Sequence, residues 1–341
     1  MAVVAAPRAR KNKVVGSEFC IELGLVNNMP DSALERTERQ FIHLLGAAAS
    51  DLLVRVSFFS LQGLARGAAG RNHLQRNSYR PILDVPGSEL DALIVTGTEP
   101  RFSDLRLEPY WSELADLIDW VVAEGPSTVF SCLAAHAALL RRDGIERQRL
   151  AEKRFGVFRH FVIGHDIFTP ELPHALNVAH SRWNEVCENA LVSNGYRILT
   201  SAPEAGVDLF LKRGRTDLLF CQGHPEYDPG TPGREYHRDV RRYLQRESNL
   251  WPALPRNYFT LAEKLLLEQY RERAMQSRDP SLIAEYPKVR RRPETRWQPP
   301  AAPVFHAWLE QIVEAKRSRR RSMRESSSDS FFGKGAVRPA A

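Results

Sequence analysis

The sequence predicts an α/β protein built on a parallel sheet with helices on both faces. Two observations carry this expectation. Short apolar runs alternate along the chain with amphipathic stretches of helical period, the pattern of βαβ units. Gly97, Cys132 and His224 each fall just past such a run, where sheets of this class place their sites.

The elements follow in order. Phe19 to Val26 reads as the first strand, and Asp31 or Ser32 caps a helix to about Leu45 with Leu34, Phe41, Leu44 and Leu45 facing inward. Leu52 to Phe59 alternates as a strand, and a loop rich in Gly, Arg and Asn runs from about Gly63 to Arg80. Leu90 to Gly97 is a buried strand ending in a turn, and Tyr110 to Ala123 is an amphipathic helix. Ser127 to Ser131 is a short buried strand, and Leu133 to Leu140 is a helix. A further strand begins at Leu218 and ends in His224-Pro225-Glu226, and Arg256 to about Arg273 reads as a helix that closes the domain.

Composition bounds the rest. At 341 residues, 43% apolar and 9% aromatic, the chain can bury a sizeable core. No apolar run reaches the roughly 18 residues a membrane span needs, and Met1 to Ser17 lacks the apolar block of a secretory signal. The four cysteines, at 20, 132, 187 and 221, show neither paired nor metal-ligand spacing, so they read as reduced thiols of a cytoplasmic protein with no metal.

The net charge of +7 resides in the tails. Residues 1–17 carry four basic residues and no acid, and residues 273–341 carry 15 Lys and Arg against 7 Asp and Glu, which leaves the body at −5. The body therefore offers nucleic acid no electrostatic footprint. Three regions are expected: a disordered basic tail 1–17, a catalytic domain 18–272, and a Pro- and Arg-rich extension 273–341 with one amphipathic helix over 304–317 carrying Phe305, Trp308, Leu309, Ile312 and Val313 on one side.

Cys132 carries the chemistry. A cysteine at a strand-to-helix junction sits on a tight turn that projects its sulfur, and the helix N-terminus beneath it favours the thiolate. His224 and Glu226, two positions apart on an extended segment, project to the same side, so the carboxylate can fix the imidazole and stabilise its charged form. Nucleophile, base and orienting acid for acyl transfer are then all present. His136, one turn along the helix from Cys132, is a rival base, while His43, His160 and His165 are weaker candidates.

Taken together, the motifs resemble the homoserine O-acyltransferases of the succinyltransferase type, relatives of the class I glutamine amidotransferases. The stretches are Asn28-Met29-Pro30 with Thr37-Glu38-Arg39-Gln40; Ile94 to Gly97; Tyr110-Trp111 with Asp119-Trp120; Ser127 to Cys132; Glu152 to Phe158; His180-Ser181-Arg182; and Gly223 to Asp228 with Glu235 to Asp239. They keep the family's order across about residues 18–245.

The resemblance implies a flavodoxin-like, amidotransferase-like sheet and a ping-pong reaction without bound cofactor, in which acyl-CoA (succinyl-CoA or acetyl-CoA) is a co-substrate and Cys132 holds the acyl group as a thioester. It implies that His224, braced by Glu226, deprotonates the hydroxyl of homoserine or a related amino acid in methionine biosynthesis. It assigns Lys153, Ser181 and Arg238 to the amino-acid substrate, the backbone N–H of Leu133 to the oxyanion, and a homodimer as the assembly. Arg238 suits a substrate carboxylate, which a guanidinium grips in bidentate fashion.

Three departures bear on the substrates. Asp31 and Ser32 stand where the family usually has two lysines, Arg101 occupies the position that tunes acyl choice, and Trp183-Asn184-Glu185 replaces the usual His-Thr-Glu. Two other readings stay open: a glutaminase-like thiol hydrolase on the same fold, and a non-catalytic relative whose basic tail binds a partner, membrane or nucleic acid.

Overall fold

The computed structural model describes residues 3–5, 20–164, 166–169, 172–289 and 301–332. In chain order the elements are β1 (Val3–Ala5), β2 (Cys20–Val26), α1 (Asp31–Ala48), β3 (Leu53–Ser60), α2 (Ala68–Arg76), β4 (Arg80–Pro81), β5 (Ala92–Val95), α3 (Trp111–Ala123), β6 (Ser127–Ser131), α4 (Leu133–Asp143), β7 (Gln148–Val162), β8 (Ala175–Glu185), α5 (Glu188–Ser193), β9 (Arg197–Ile198), β10 (Thr200–Ala202), β11 (Gly206–Val207), β12 (Leu209–Lys212), β13 (Leu218–Cys221), α6 (Thr231–Leu244), α7 (Leu261–Ser277) and α8 (Ala301–Phe332).

Nine strands form the central sheet in the order β1-β3-β2-β5-β6-β13-β12-β9, with β4 paired to β3. The pairs from β1 to β13 are parallel, whereas β12 and β9 join antiparallel. A four-stranded antiparallel sheet, β11-β10-β7-β8, stands apart.

Strand alternation divides the core. Leu93, Val95, Phe130 and Phe220 face α3 and α4, while Ala92, Ile94, Val129 and Leu219 face α1 and α8. A third cluster joins α6 and α7 through Tyr236, Val240, Tyr243, Leu267 and Tyr270. The expected α/β sheet with helices on both faces is therefore present.

Several boundaries differ from expectation. Asp31 does not cap α1, whose N-cap is Pro30; its carboxylate accepts from Gly67 N at 2.8 Å and pairs with Arg66 at 3.2 Å. That carboxylate lies at the start of α2, a helix inside the stretch expected to be loop. The closing helix begins at Leu261 because Thr260 and Glu263 form a capping box.

The tails need correction. Val3–Ala5 pair with Val54–Val56 as an edge strand, so that part of residues 1–17 is ordered. Residues 280–285 form a short 3-10 helix, and Leu282, Ile283 and Tyr286 pack on the third cluster, so this part of the Pro- and Arg-rich extension joins the folded body. The helix expected over 304–317 belongs to the folded body. Val304, Phe305, Trp308, Leu309, Ile312 and Val313 are buried against the α1 face of the sheet. The physical reason is an apolar sheet face that α1 does not cover alone. Trp308 Nε1 donates to Ser127 Oγ at 2.9 Å, and Lys316 pairs with Asp91. Arg290, Arg291 and Arg292 lie outside the described residues.

Candidate active site

The parallel register of β6 and β13 builds the centre of the site. Ser131 stands opposite Cys221, so the chain leaves both strands at the same edge. Cys132 follows β6 directly, and its N–H donates to Cys221 O at 2.7 Å. The backbone of Cys132 has φ 55° and ψ −116°, a left-side conformation that few non-glycine residues adopt. Such a residue costs on the order of 1–3 kcal/mol and persists where its surroundings over-determine it. α4 starts at the next residue, which places the sulfur over a helix N-terminus.

Gly97 closes the turn from the neighbouring strand. A Cβ there would lie 2.8 Å from Leu133 N, so only glycine lets the two backbones approach this closely. The Leu133 N–H at the first position of α4 is one of the amides a helix start leaves without an internal acceptor.

His224 is anchored by its own N–H, which donates to Ala179 O at 2.9 Å. Its Nδ1 lies 2.9 Å from Glu226 Oε1, and its ring stacks on Tyr227 with centroids 4.1 Å apart. Burial alone would push the imidazole down. The Glu226 carboxylate and the nearby Cys132 sulfur outweigh it and hold His224 well above the ordinary histidine value. Cys132 thus stands beside the His224–Glu226 pair.

The rival base is disposed of by the same physics. His136 is buried, bonds Gln222 Oε1 at 3.1 Å, and is pushed down to about 3 by desolvation. It remains neutral within the core. A second neutral cluster lies beside His224. Arg182 Nε donates to His180 Nδ1 at 3.2 Å, so His180 carries its proton on Nε2 and donates to His160 Nε2 at 2.9 Å. Arg182 is buried and hydrogen-bonds to the carbonyls of Asn184 and Ala205. His43 lies on α1, away from these contacts, and His165 is outside the described residues.

One wall of the site carries the residues assigned to the amino acid. Lys153 Nζ sits 3.4 Å from Asp239 Oδ2 and 4.2 Å from the centre of the Phe155 ring. Arg238 Nε donates to the other oxygen of Asp239 at 2.9 Å, and Arg238 also approaches Glu235 at 3.8 Å. Asp239 therefore brings Lys153 and Arg238 together. Ser181 on β8 stands in register with Phe155 of β7, on the adjoining strand. Trp183, at a departure from the family pattern, is partly exposed under the guanidinium of Arg149, 4.4 Å from the ring centre.

A second charged group follows Gly97. Arg101 has an exposed side chain, and its backbone N–H donates to Glu108 Oε1 at 2.6 Å, as does that of Phe102 at 2.8 Å. Arg147 Nη2 donates to Phe102 O at 2.9 Å and Ser103 O at 2.8 Å. Sequence reasoning missed Arg147, Glu108 and Arg182. Only the placement of Glu108 and Arg147 after turn and helix ends hinted at them.

The chain is similar to known proteins over most of its length. The family model for homoserine O-succinyltransferase matches residues 2–319, well beyond the 18–245 over which motifs are visible, and it takes in most of α8. A homoserine O-succinyltransferase from Rhodopseudomonas palustris is 45% identical over 85% of this chain and 87% of its own length. One from Methylorubrum extorquens is 43% identical over 85% and 86%. Among solved structures, a glutamine amidotransferase from Methylobacillus flagellatus aligns with TM-score 0.48 and 13% identity over 86% of this chain and 95% of that one. The extent of the family match and the identity of these relatives make the chain an acyltransferase that belongs to the homoserine O-succinyltransferase family.

Proposed function

We propose that the protein moves a succinyl group from succinyl-CoA to the hydroxyl of homoserine through a thioester on Cys132, a step of methionine biosynthesis. The observation that carries this reading is the placement of Cys132 and the His224–Glu226 pair just past the ends of two neighbouring parallel strands.

In the first half-reaction the Cys132 sulfur attacks the thioester carbonyl of succinyl-CoA. The oxygen takes up the charge and is held by the Leu133 N–H at the start of α4. The bond to CoA sulfur breaks, and the CoA thiolate takes the proton from the His224 imidazolium. In the second half-reaction neutral His224 removes the proton of the homoserine hydroxyl, whose oxygen attacks the same carbonyl. The Cys132–carbonyl bond breaks, the O-acyl amino acid leaves, and the thiolate–imidazolium pair is restored. Glu226 holds the ring and offsets its charge throughout. Arg238 and Lys153, with Ser181 on the neighbouring strand, form the acceptor wall, where Arg238 suits the amino-acid carboxylate.

Intact-protein mass spectrometry after incubation with succinyl-CoA or acetyl-CoA tests this. The expected result is an acyl adduct on Cys132 that homoserine discharges and that Cys132→Ala lacks. An adduct retained in Cys132→Ala overturns the mechanism, and glutamine hydrolysis without acyl-CoA turnover moves the protein to the thiol-hydrolase reading.

A further inference from the structure

Three polar atoms near the turn that follows Gly97 are buried with no hydrogen-bond partner among the described residues: Glu108 Oε2, Tyr110 Oη and Arg147 Nη1. Glu108 is 4% exposed and Tyr110 3%. An interior polar atom left unpaired is costly, so a group of three calls for an occupant. Glu108 and Arg147 meet on one turn, where Glu108 Oε1 accepts from the Phe102 N–H and Arg147 Nη2 donates to Phe102 O, and Tyr110 follows Glu108 by two residues. The same turn begins at Gly97, which packs on the backbone of Leu133 beside Cys132.

The surroundings are rigid on both sides. Glu108 Oε1 accepts the amides of Arg101 and Phe102, and Arg147 Nη2 donates to the carbonyls of Phe102 and Ser103. What remains free is a guanidinium N–H and a phenol O–H, two donors, with Glu108 Oε2 as the odd acceptor. An occupant with two acceptor oxygens answers both donors, and a guanidinium N–H beside a phenol O–H suits a carboxylate. Glu108 fixes the turn through its other oxygen, Oε1.

We propose that Arg147, with Tyr110 as second donor, receives the distal carboxylate of a dicarboxylic acyl group carried on Cys132 and so sets the acyl choice of the enzyme. The inference rests on the thioester reading above and deepens it. A succinyl thioester ends in such a carboxylate two methylenes from its carbonyl, whereas an acetyl thioester has nothing to offer the two donors. Arg101 then contributes its backbone N–H to the turn, and its exposed side chain leaves the choice unchanged.

The test is competition. The full-length protein and the variants Arg147→Met, Tyr110→Phe and Arg101→Ala are each given equal succinyl-CoA and acetyl-CoA, and the ratio of the two adducts on Cys132 is read by intact mass. Arg147→Met lowers the succinyl-to-acetyl ratio at least tenfold, Tyr110→Phe several-fold, and Arg101→Ala less than twofold. The acetyl adduct reports that each variant is folded. If Arg147→Met loads neither group, Tyr110→Phe decides, because it removes one oxygen that bonds nothing. A ratio unchanged in both variants, or one that follows Arg101→Ala, overturns the proposal while leaving the thioester intact. A wild type that loads neither acyl group removes both.

Discussion

The two walls of the proposed site are wired differently. Around Asp239 cations and carboxylates alternate: Lys153 and Arg238 share Asp239, Arg238 approaches Glu235, and Tyr227 donates to Glu235 at 2.9 Å, which leaves an acceptor, Glu235 Oε2, buried without a partner among the described residues. On the turn after Gly97 two donors, Tyr110 Oη and Arg147 Nη1, are buried unbonded beside one acceptor, Glu108 Oε2. Under the proposed reaction the contrast fits two guests. An amino acid brings an ammonium and a carboxylate together and can enter a network of ions by exchanging partners. A dicarboxylic acyl chain offers acceptor oxygens to free donors.

The comparison can be broken in three ways, and the largest effect comes from the group both walls share. His224→Asn slows acyl loading and acyl release alike, by about 10³-fold. Rapid-quench measurement of the two half-reactions checks this, and an effect confined to one of them would show that the walls do not share a base.

Glu226→Ala costs less, about 10²-fold, because the thiolate is a strong nucleophile without an oriented base. It has a second signature in stability. His224 is held above its ordinary value in the folded protein, so its contribution is complete below about pH 6.5 and drains as the pH rises through the raised value. The advantage of wild type over Glu226→Ala in unfolding free energy therefore shrinks as pH climbs above about 6.5. Denaturant titrations across a pH series read it, and an advantage that grows with pH would contradict the ion pair. His136, His160 and His180, all lowered by burial, pull the other way, since the unfolded chain takes up their protons as pH falls. They do so equally in both proteins and cancel.

The smallest effect sharpens the contrast most. Arg238→Met loses a charged hydrogen bond of about 2 kcal/mol and raises the KM for the amino acid about 30-fold. Adduct formation from succinyl-CoA stays as in wild type. If loading slowed by the same factor, the two walls would be one site.

Much of this was legible in the sequence. The parallel half was, since each strand there is a short apolar run set between helical stretches. The order of Cys132, His224 and Glu226 was legible because each follows a strand end in the chain itself. The β7–β8 arm was not. Gln148 to Val162 mixes Arg, Glu and Lys with aromatics, shifts register between Arg149 and Arg154, and pairs outside the main sheet. α2 escaped because Gly70 is its one buried residue, so no apolar stripe marks it. Arg147 and Arg182 escaped because their contacts join residues remote in sequence, Arg147 with Phe102 and Arg182 with Ala205. The helix over 304–317 was legible from its apolar side, but its place in the folded body was not, because its partner face exists only once the sheet has formed.

That helix sets a timetable. The face holding Leu25, Ile94, Val129 and Leu219 is sealed by Val304 to Val313, and His306 Nδ1 reaches Ala48 O at 2.8 Å across the length of the chain. A ribosome delivers the N-terminal strands first. The nascent polypeptide therefore carries an open hydrophobic flank until residues 304–313 have been made, and the strands that aim sulfur and imidazole gain this support only when that helix emerges.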